Sequence, residues 1–227
     1  MIMSNVTNAQ ECVVLLHGLA RTSESMRKLE TRLTKENYLV ANIDYPSRKY
    51  PIDELARLSV NQGLEECKKQ HTSRINFVTH SLGGILVRVY YEEHKHDDLG
   101  RVVMLGPPNH GSEVVDKLMN APGYELLNGP AGMQLGTFPT DIPQSLGPVD
   151  YEVGIIAGTK TINLILSLFL PRPNDGKVSV ESAKVDGMED FITLPVTHPF
   201  MMRNDAVIDQ TLYFLKHGQF HKVDLTQ

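Results

Sequence analysis

The stretch R-I-N-F-V-T-H-S-L-G-G-I-L-V-R-V-Y-Y, residues 74 to 91, decides how this chain folds. Ile75, Phe77 and Val78 are β-branched or aromatic, in a run too short for a helix and bounded by polar Arg74 and Thr79, which predicts a buried parallel strand. Around Gly84 the period changes: Leu82, Ile85, Leu86 and Val89 recur at helical spacing. Ser81 therefore stands on the turn by which a strand runs directly into a helix. Such a turn leaves the hydroxyl at the carboxyl edge of the sheet, where the free N–H groups and partial positive charge of a helix N-terminus can hold an oxyanion. T-H-S-L-G, residues 79 to 83, is a variant of the G-x-S-x-G nucleophile turn, with Thr79 in place of the first glycine. Small residues two positions either side of the serine keep side chains off the neighbouring strand and helix. Thr79 is small but β-branched, so the match is incomplete, and an ordinary strand-to-helix loop remains the competing reading.

Outward from this turn, strand and helix patterns alternate. Cys12 to Leu16 is a continuous apolar run leading into His17-Gly18-Leu19-Ala20. Thr22 or Ser23 can cap a helix reaching about Lys35, with Met26, Leu29 and Leu33 on one face. Tyr38 to Ile43 is the next strand, Ile52 to about His71 the next helix, and Val102 to Leu105 the strand after the nucleophile turn. Tyr151 to Ala157 and Phe191 to Leu194 complete the strands, and a last helix covers about Asn204 to Lys216. Alternation of this kind implies βαβ units and a mostly parallel sheet flanked by helices on both faces, an α/β class. Sites then fall at the carboxyl ends of the strands. Residues 111–150 are broken by prolines and glycines and read as an irregular excursion over the active-site edge of a single domain, 1–227, with minimal or no cap.

Composition narrows the function classes. A chain of 227 residues with 41% hydrophobic and 22% charged residues has the make-up of one globular domain. Its net charge of −5 offers no basic footprint, so nucleic acid is not an expected partner. The nine histidines show no metal-ligand spacing, and His94 and His96 read as a solvated helix end. Neither a metal nor an organic cofactor is called for. Cys12 and Cys67 make no disulfide framework and read as separate small buried residues of a reducing compartment. No signal-peptide pattern precedes the first strand, and the longest apolar run, Leu164 to Leu170, is shorter than the about 20 residues a membrane span needs. A cytoplasmic location without stable membrane insertion is the expectation; oligomeric state is not legible.

Three residues then fall into an informative order. Ser81, Asp175 and His198 follow one another as nucleophile, acid and base, with Asp175 in an N-D-G turn and His198 just after the last strand. Glu181, Asp186 and Asp190 are rival acids in the same region. The backbone N–H groups of Leu19 and Leu82 are the expected oxyanion donors. His17, Gly18 and His80 beside these loops, with Leu166 and Phe169 in the apolar run, are the candidate substrate contacts. Ile162 to Leu170 reads either as a wall of the acyl pocket or as a buried core helix.

V-V-L-L-H-G-L at residues 13–19, F-V-T-H-S-L-G-G at 77–84, L-G-P-P-N-H-G-S at 105–112, P-N-D-G-K-V-S-V-E-S-A at 173–183 and T-H-P-F-M at 197–201 together resemble one family. The chain is similar to the bacterial lipase and esterase branch of the α/β-hydrolase superfamily, near lipase class 2 and the hydrolase domains related to the GPI-inositol deacylase. That resemblance implies an α/β-hydrolase fold, Ser81 as nucleophile, Asp175 as acid, His198 as base, and an acyl ester or short-chain lipid as substrate. A thioesterase, acyltransferase or amidase would use the same groups, and a silent scaffold would keep the fold without the chemistry.

Overall fold

A computed structural model describes residues 10–72, 74–94 and 98–222; His96 lies outside the described residues. Six strands, β1 (Cys12–Leu16), β2 (Leu39–Ile43), β3 (Ile75–His80), β4 (Leu99–Leu105), β5 (Val153–Gly158) and β6 (Asp190–Leu194), form one sheet in the order β2-β1-β3-β4-β5-β6. Every neighbouring pair is parallel. The helices are α1 (Arg27–Lys35), α2 (Ile52–Lys68), α3 (Leu82–Glu93), α4 (Glu113–Leu118), α5 (Tyr124–Met133), α6 (Ile142–Ser145), α7 (Leu164–Ser167), α8 (Val180–Ala183) and α9 (Asp205–His217).

Strand β1 shows why the strands read as unbroken apolar runs. Cys12, Val14 and Leu16 pack with Leu55, Val60, Ile85 and Leu86 from α2 and α3 on one face. Val13 and Leu15 pack with Leu29 and Leu33 of α1 and Phe214 of α9 on the other. With no polar face, there is nothing to alternate. Each such fully buried aliphatic side chain contributes about 1.5–3 kcal/mol relative to exposure.

The order also locates the site. The chain leaves β1 for the outer strand β2, then returns through α2 to β3 on the opposite side of β1. Crossovers on either side of β1 and β3 part there, opening a crevice at the carboxyl ends of those two strands. Gly18 follows β1 and Ser81 follows β3, so both loops meet at this switch point.

One expectation fails, and one open alternative is decided. Cys12 and Cys67 are joined in a disulfide, their Cα atoms 5.8 Å apart, tying the start of β1 to the last turn of α2. Two cysteines 55 residues apart carry no pairing signal in sequence; the packing of α2 on β1 brings them together. Of the two readings of Ile162 to Leu170, the buried core helix is the one excluded. The stretch forms a single turn, α7, with Ile162 (66%), Leu164 (73%), Ile165 (71%) and Leu168 (72%) largely exposed. The segment meets the protein mainly through Ser167 and Leu170, and Ser167 Oγ donates to Asn174 Oδ1 at 2.9 Å.

Candidate active site

Ser81 sits between β3 and α3 in a left-handed backbone conformation, φ 53° and ψ −119°, which side chains rarely adopt. The turn can be this tight because residue 83 is glycine: a Cβ there would lie 2.6 Å from the Leu16 carbonyl oxygen and 3.1 Å from that of His17. Thr79, the departure from the usual glycine, is fully buried, and its hydroxyl occupies room left by Gly84, whose Cβ would meet Thr79 Oγ1 at 3.3 Å.

Behind the serine a continuous hydrogen-bond relay is in place. His198, at the start of a 3-10 turn (His198–Arg203) after β6, has Nε2 3.1 Å from Ser81 Oγ and Nδ1 2.7 Å from Asp175 Oδ2. Asp175 and His198 are 2% and 5% exposed, so their contact lies in a largely dry environment, while the contact to Ser81 is part-buried at the cleft. The second carboxylate oxygen, Oδ1, accepts the backbone N–H groups of Lys177 (2.9 Å) and Val178 (2.8 Å). These amides fix the carboxylate's rotation and leave Oδ2 aimed at the imidazole. With Nδ1–H donating to Asp175, Nε2 keeps its lone pair for the serine hydroxyl proton. The rival acids are engaged or placed elsewhere: Glu181 pairs with Lys184, Asp190 accepts the Phe191 and Phe220 amides, and Asp186 is exposed.

Ser81 opens into a cleft of about 230 Å³ lined by Leu19, Pro108, Val114, Val115, Tyr124, Leu135, Ile162 and Leu166 among others. Helices α4 and α5 of the irregular excursion thus form one wall and the α7 segment another. Among the described residues, no protein acceptor takes the N–H of Leu19 or Leu82. Leu82 is the first residue of α3 and Leu19 lines the cleft, so both belong to the segments that flank the serine. Among the described residues, no helix is long and apolar enough to cross a membrane, and no cluster of His, Cys, Asp and Glu could hold a metal ion.

The palmitoyl protein thioesterase family matches residues 12–151, which is more than half of the chain and includes Ser81 and the loop after β1. The chain belongs to the palmitoyl protein thioesterase family. Solved structures extend the likeness beyond the matched residues. The mature Bacillus licheniformis lipase BlEst2 superposes with a TM-score of 0.74 at 20% identity, over 91% of this chain and 92% of that one. The Listeria innocua lin2722 product gives 0.63 at 19% identity, over 95% and 96%. Aspergillus fumigatus lipase B gives 0.70 at 15% identity, over 92% of this chain and 53% of the lipase. No curated protein sequence matches significantly. At these identities the structural likeness establishes the fold alone, that of an α/β-hydrolase.

Placed on this thioesterase-family structure, the expected substrate contacts divide. Leu166 lines the cleft; Phe169, past the end of α7 and partly exposed, does not. His17 is fully buried and stacked on Tyr45, ring centroids 4.0 Å apart, with Nδ1 donating to the Gly18 carbonyl at 2.9 Å and Nε2 accepting the Tyr45 N–H at 3.3 Å. Burial lowers its pKa, and it braces the loop from behind rather than facing substrate. Gly18 is a spacer: a Cβ there would meet His80 Nδ1 at 2.7 Å and Ser81 Cβ at 3.2 Å. His80 borders the cleft at only 2% exposure, and its Nε2–H donates to the main-chain carbonyl of His198 at 3.0 Å. Burial, with nearby His198 next in effect, holds the His80 pKa well below the ordinary histidine range, so it is a neutral support for the His198 backbone.

The G-P-P-N-H-G-S segment proves to be a fastener. Buried Asn109 donates to the Ala183 carbonyl at 2.8 Å, and Ser112 Oγ donates to the Lys177 carbonyl at 2.7 Å. Ser182 Oγ in turn donates to the Gly111 carbonyl. This loop after β4 therefore clamps the loop that carries Asp175. Arg88, from α3, donates to Asn109 and to the Leu146 and Gly147 carbonyls, anchoring the excursion. Sequence reading did not pick out two further cleft residues, Arg21 and Lys177. Each lies two positions beyond a predicted site residue, Leu19 and Asp175, and that spacing was the available signal.

Proposed function

We propose that this protein hydrolyses carboxylic esters through a Ser81–His198–Asp175 triad and an acyl-enzyme intermediate. The observation that carries the reading is the unbroken relay, 3.1 Å from Ser81 Oγ to His198 Nε2 and 2.7 Å from His198 Nδ1 to Asp175 Oδ2. His198 accepts the Ser81 proton as the hydroxyl oxygen attacks the acyl carbonyl, and Asp175 stabilises the imidazolium that results. The tetrahedral oxyanion is held by the Leu19 and Leu82 amides; losing one such donor typically costs about 100- to 1,000-fold in rate. His198 returns the proton to the departing alkoxide, and water then attacks the acyl-enzyme with His198 as base, releasing the carboxylic acid and restoring Ser81. The cleft is smaller than the about 300–1,000 Å³ common for drug-sized ligands, which supports short and medium acyl chains with the chain lying against Leu135 and Leu166.

A thioester reading has one observation in its favour, the palmitoyl protein thioesterase family match. The same relay serves it, with a thiolate as leaving group. Turnover of p-nitrophenyl esters from acetate to palmitate, run beside acyl thioesters of equal chain length, separates the two. Ser81→Ala should abolish both activities; equal rates for wild type and Ser81→Ala on every substrate would overturn the hydrolase reading.

A further inference from the structure

The cleft holds two cations that the hydrolysis above does not use. Arg21 comes from the loop after β1, two residues past the Leu19 amide; Lys177 comes from the acid loop, two past Asp175. They thus reach the cleft from the two loops that flank Ser81. Among the described residues, neither side chain makes an ion pair or a hydrogen bond with protein. The one carboxylate in the lining is Asp175, and both of its oxygens are committed, Oδ2 to His198 and Oδ1 to two amides.

Two like charges face one cleft in a protein of net charge −5, so the excess is local rather than a reflection of the whole surface. The arrangement has an electrostatic cost. Lys177 keeps an exposed tip, yet desolvation by the cleft wall, then the charge of Arg21, lowers its pKa, with Asp175 opposing only in part. The field of both cations also reaches buried His80. A bound anion would relieve this repulsion. The remaining walls, Val114, Val115, Leu135 and Leu166, are apolar and suit an acyl chain. A ligand matching both parts has an apolar acyl arm and an anionic group on the other side of the scissile bond.

We propose that Arg21 and Lys177 bind an anionic group, phosphate or carboxylate, on the leaving-group side of the ester, making anionic acyl amphiphiles the favoured substrates. This rests on the hydrolase reading of the same cleft.

The test compares three substrates of equal acyl length: 1-octanoylglycerol, which is neutral; 1-octanoylglycerol 3-phosphate, charged on the leaving group; and the monoglyceride of octanedioic acid, charged at the acyl end. At low ionic strength the wild type should favour the phosphate ester over the neutral one by about tenfold in kcat/KM, chiefly through KM. Arg21→Gln and Lys177→Gln should each shrink that ratio about two- to fivefold, the range for partly exposed ion contacts. Salt at about 0.5 M should shrink the wild-type ratio in the same direction, which needs no variant at all. A wild-type ratio near one, a ratio untouched by both variants and by salt, or preference for the acyl-end carboxylate would overturn the proposal. If Ser81→Ala matches wild type on all three substrates, it is the hydrolase reading that fails. If the neutral ester is cleaved far above the Ser81→Ala rate but without charge preference, only this inference fails.

Discussion

Replacing Asp175 by asparagine should leave the fold intact and nearly extinguish turnover, and the two amides on Oδ1 say why. The Lys177 and Val178 N–H groups, at 2.9 and 2.8 Å, require an acceptor where Oδ1 stands. An asparagine must put its carbonyl oxygen there, because its NH₂ would face two donors. The amide nitrogen then occupies the Oδ2 position, 2.7 Å from His198 Nδ1, and donates to it. Nδ1 becomes an acceptor, the ring proton moves to Nε2, and Ser81 loses its base. A triad histidine held in the wrong tautomer costs about 10⁴-fold in kcat, equivalent to about 5.4 kcal/mol at 1.36 kcal/mol per decade. Stability should change little, since both amide bonds survive. Asp175→Ala is the contrasting variant: it orphans both N–H groups, at about 1–3 kcal/mol for each that stays buried. The assay is kcat on a p-nitrophenyl ester together with urea unfolding of both variants. An Asp175→Asn enzyme within tenfold of wild type would refute the reasoning and return attention to Glu181, Asp186 and Asp190.

Gly83→Ala should be destabilised by about 1–3 kcal/mol, because the new Cβ meets backbone at 2.6 Å, and kcat should fall as α3 and its Leu82 amide shift. Gly84→Ala, with contacts of 3.1–3.3 Å to side-chain atoms, should be milder on both counts; parity between the two in denaturant melts would sink the argument. Leu166→Asp should lower turnover of octanoate and longer p-nitrophenyl esters by about tenfold or more relative to acetate, as a buried charge opposes the acyl chain. Phe169→Asp, outside the cleft, should leave the chain-length profile alone, and an equal shift in both variants would count against this placement. His17 and His80 have lowered folded-state pKa values, so the unfolded chain binds protons that the folded one refuses. Stability should therefore drop as pH falls below about 6.5, with no contribution from these two groups above it. Denaturant titrations at pH 7.5 and 5.5 should show a smaller loss for His80→Gln than for wild type; identical losses would mean His80 does not carry the effect.

The backbone plan was legible because it depends on local patterns. Strands buried on both faces must be apolar throughout, and Ser81 could be placed because the period changes within a few residues on either side of it. The expectation for His198 rested on its place after the last strand. Choosing Asp175 over Glu181 or Asp190 has a reason visible only in three dimensions, the paired amides on Oδ1. What stayed hidden depends on which elements become neighbours. The Cys12–Cys67 bond exists because α2 lies on β1, and no local pattern encodes that contact. The apolar run at 162–170 left two readings open because hydrophobicity reports a tendency to be covered, whereas coverage needs a partner surface; Leu166 lines the cleft while Leu164 and Ile165 stay exposed. His17 looked like a ligand-facing loop residue, but stacking on Tyr45 turns it inward.

Ser81 occupies a backbone shape that would suit an achiral residue better. Substituting glycine would ease the main chain and silence the enzyme in one step. At this turn, gains in durability and gains in reactivity pull in opposite directions. Engineering for heat tolerance must therefore spare this corner and look to the distant helices.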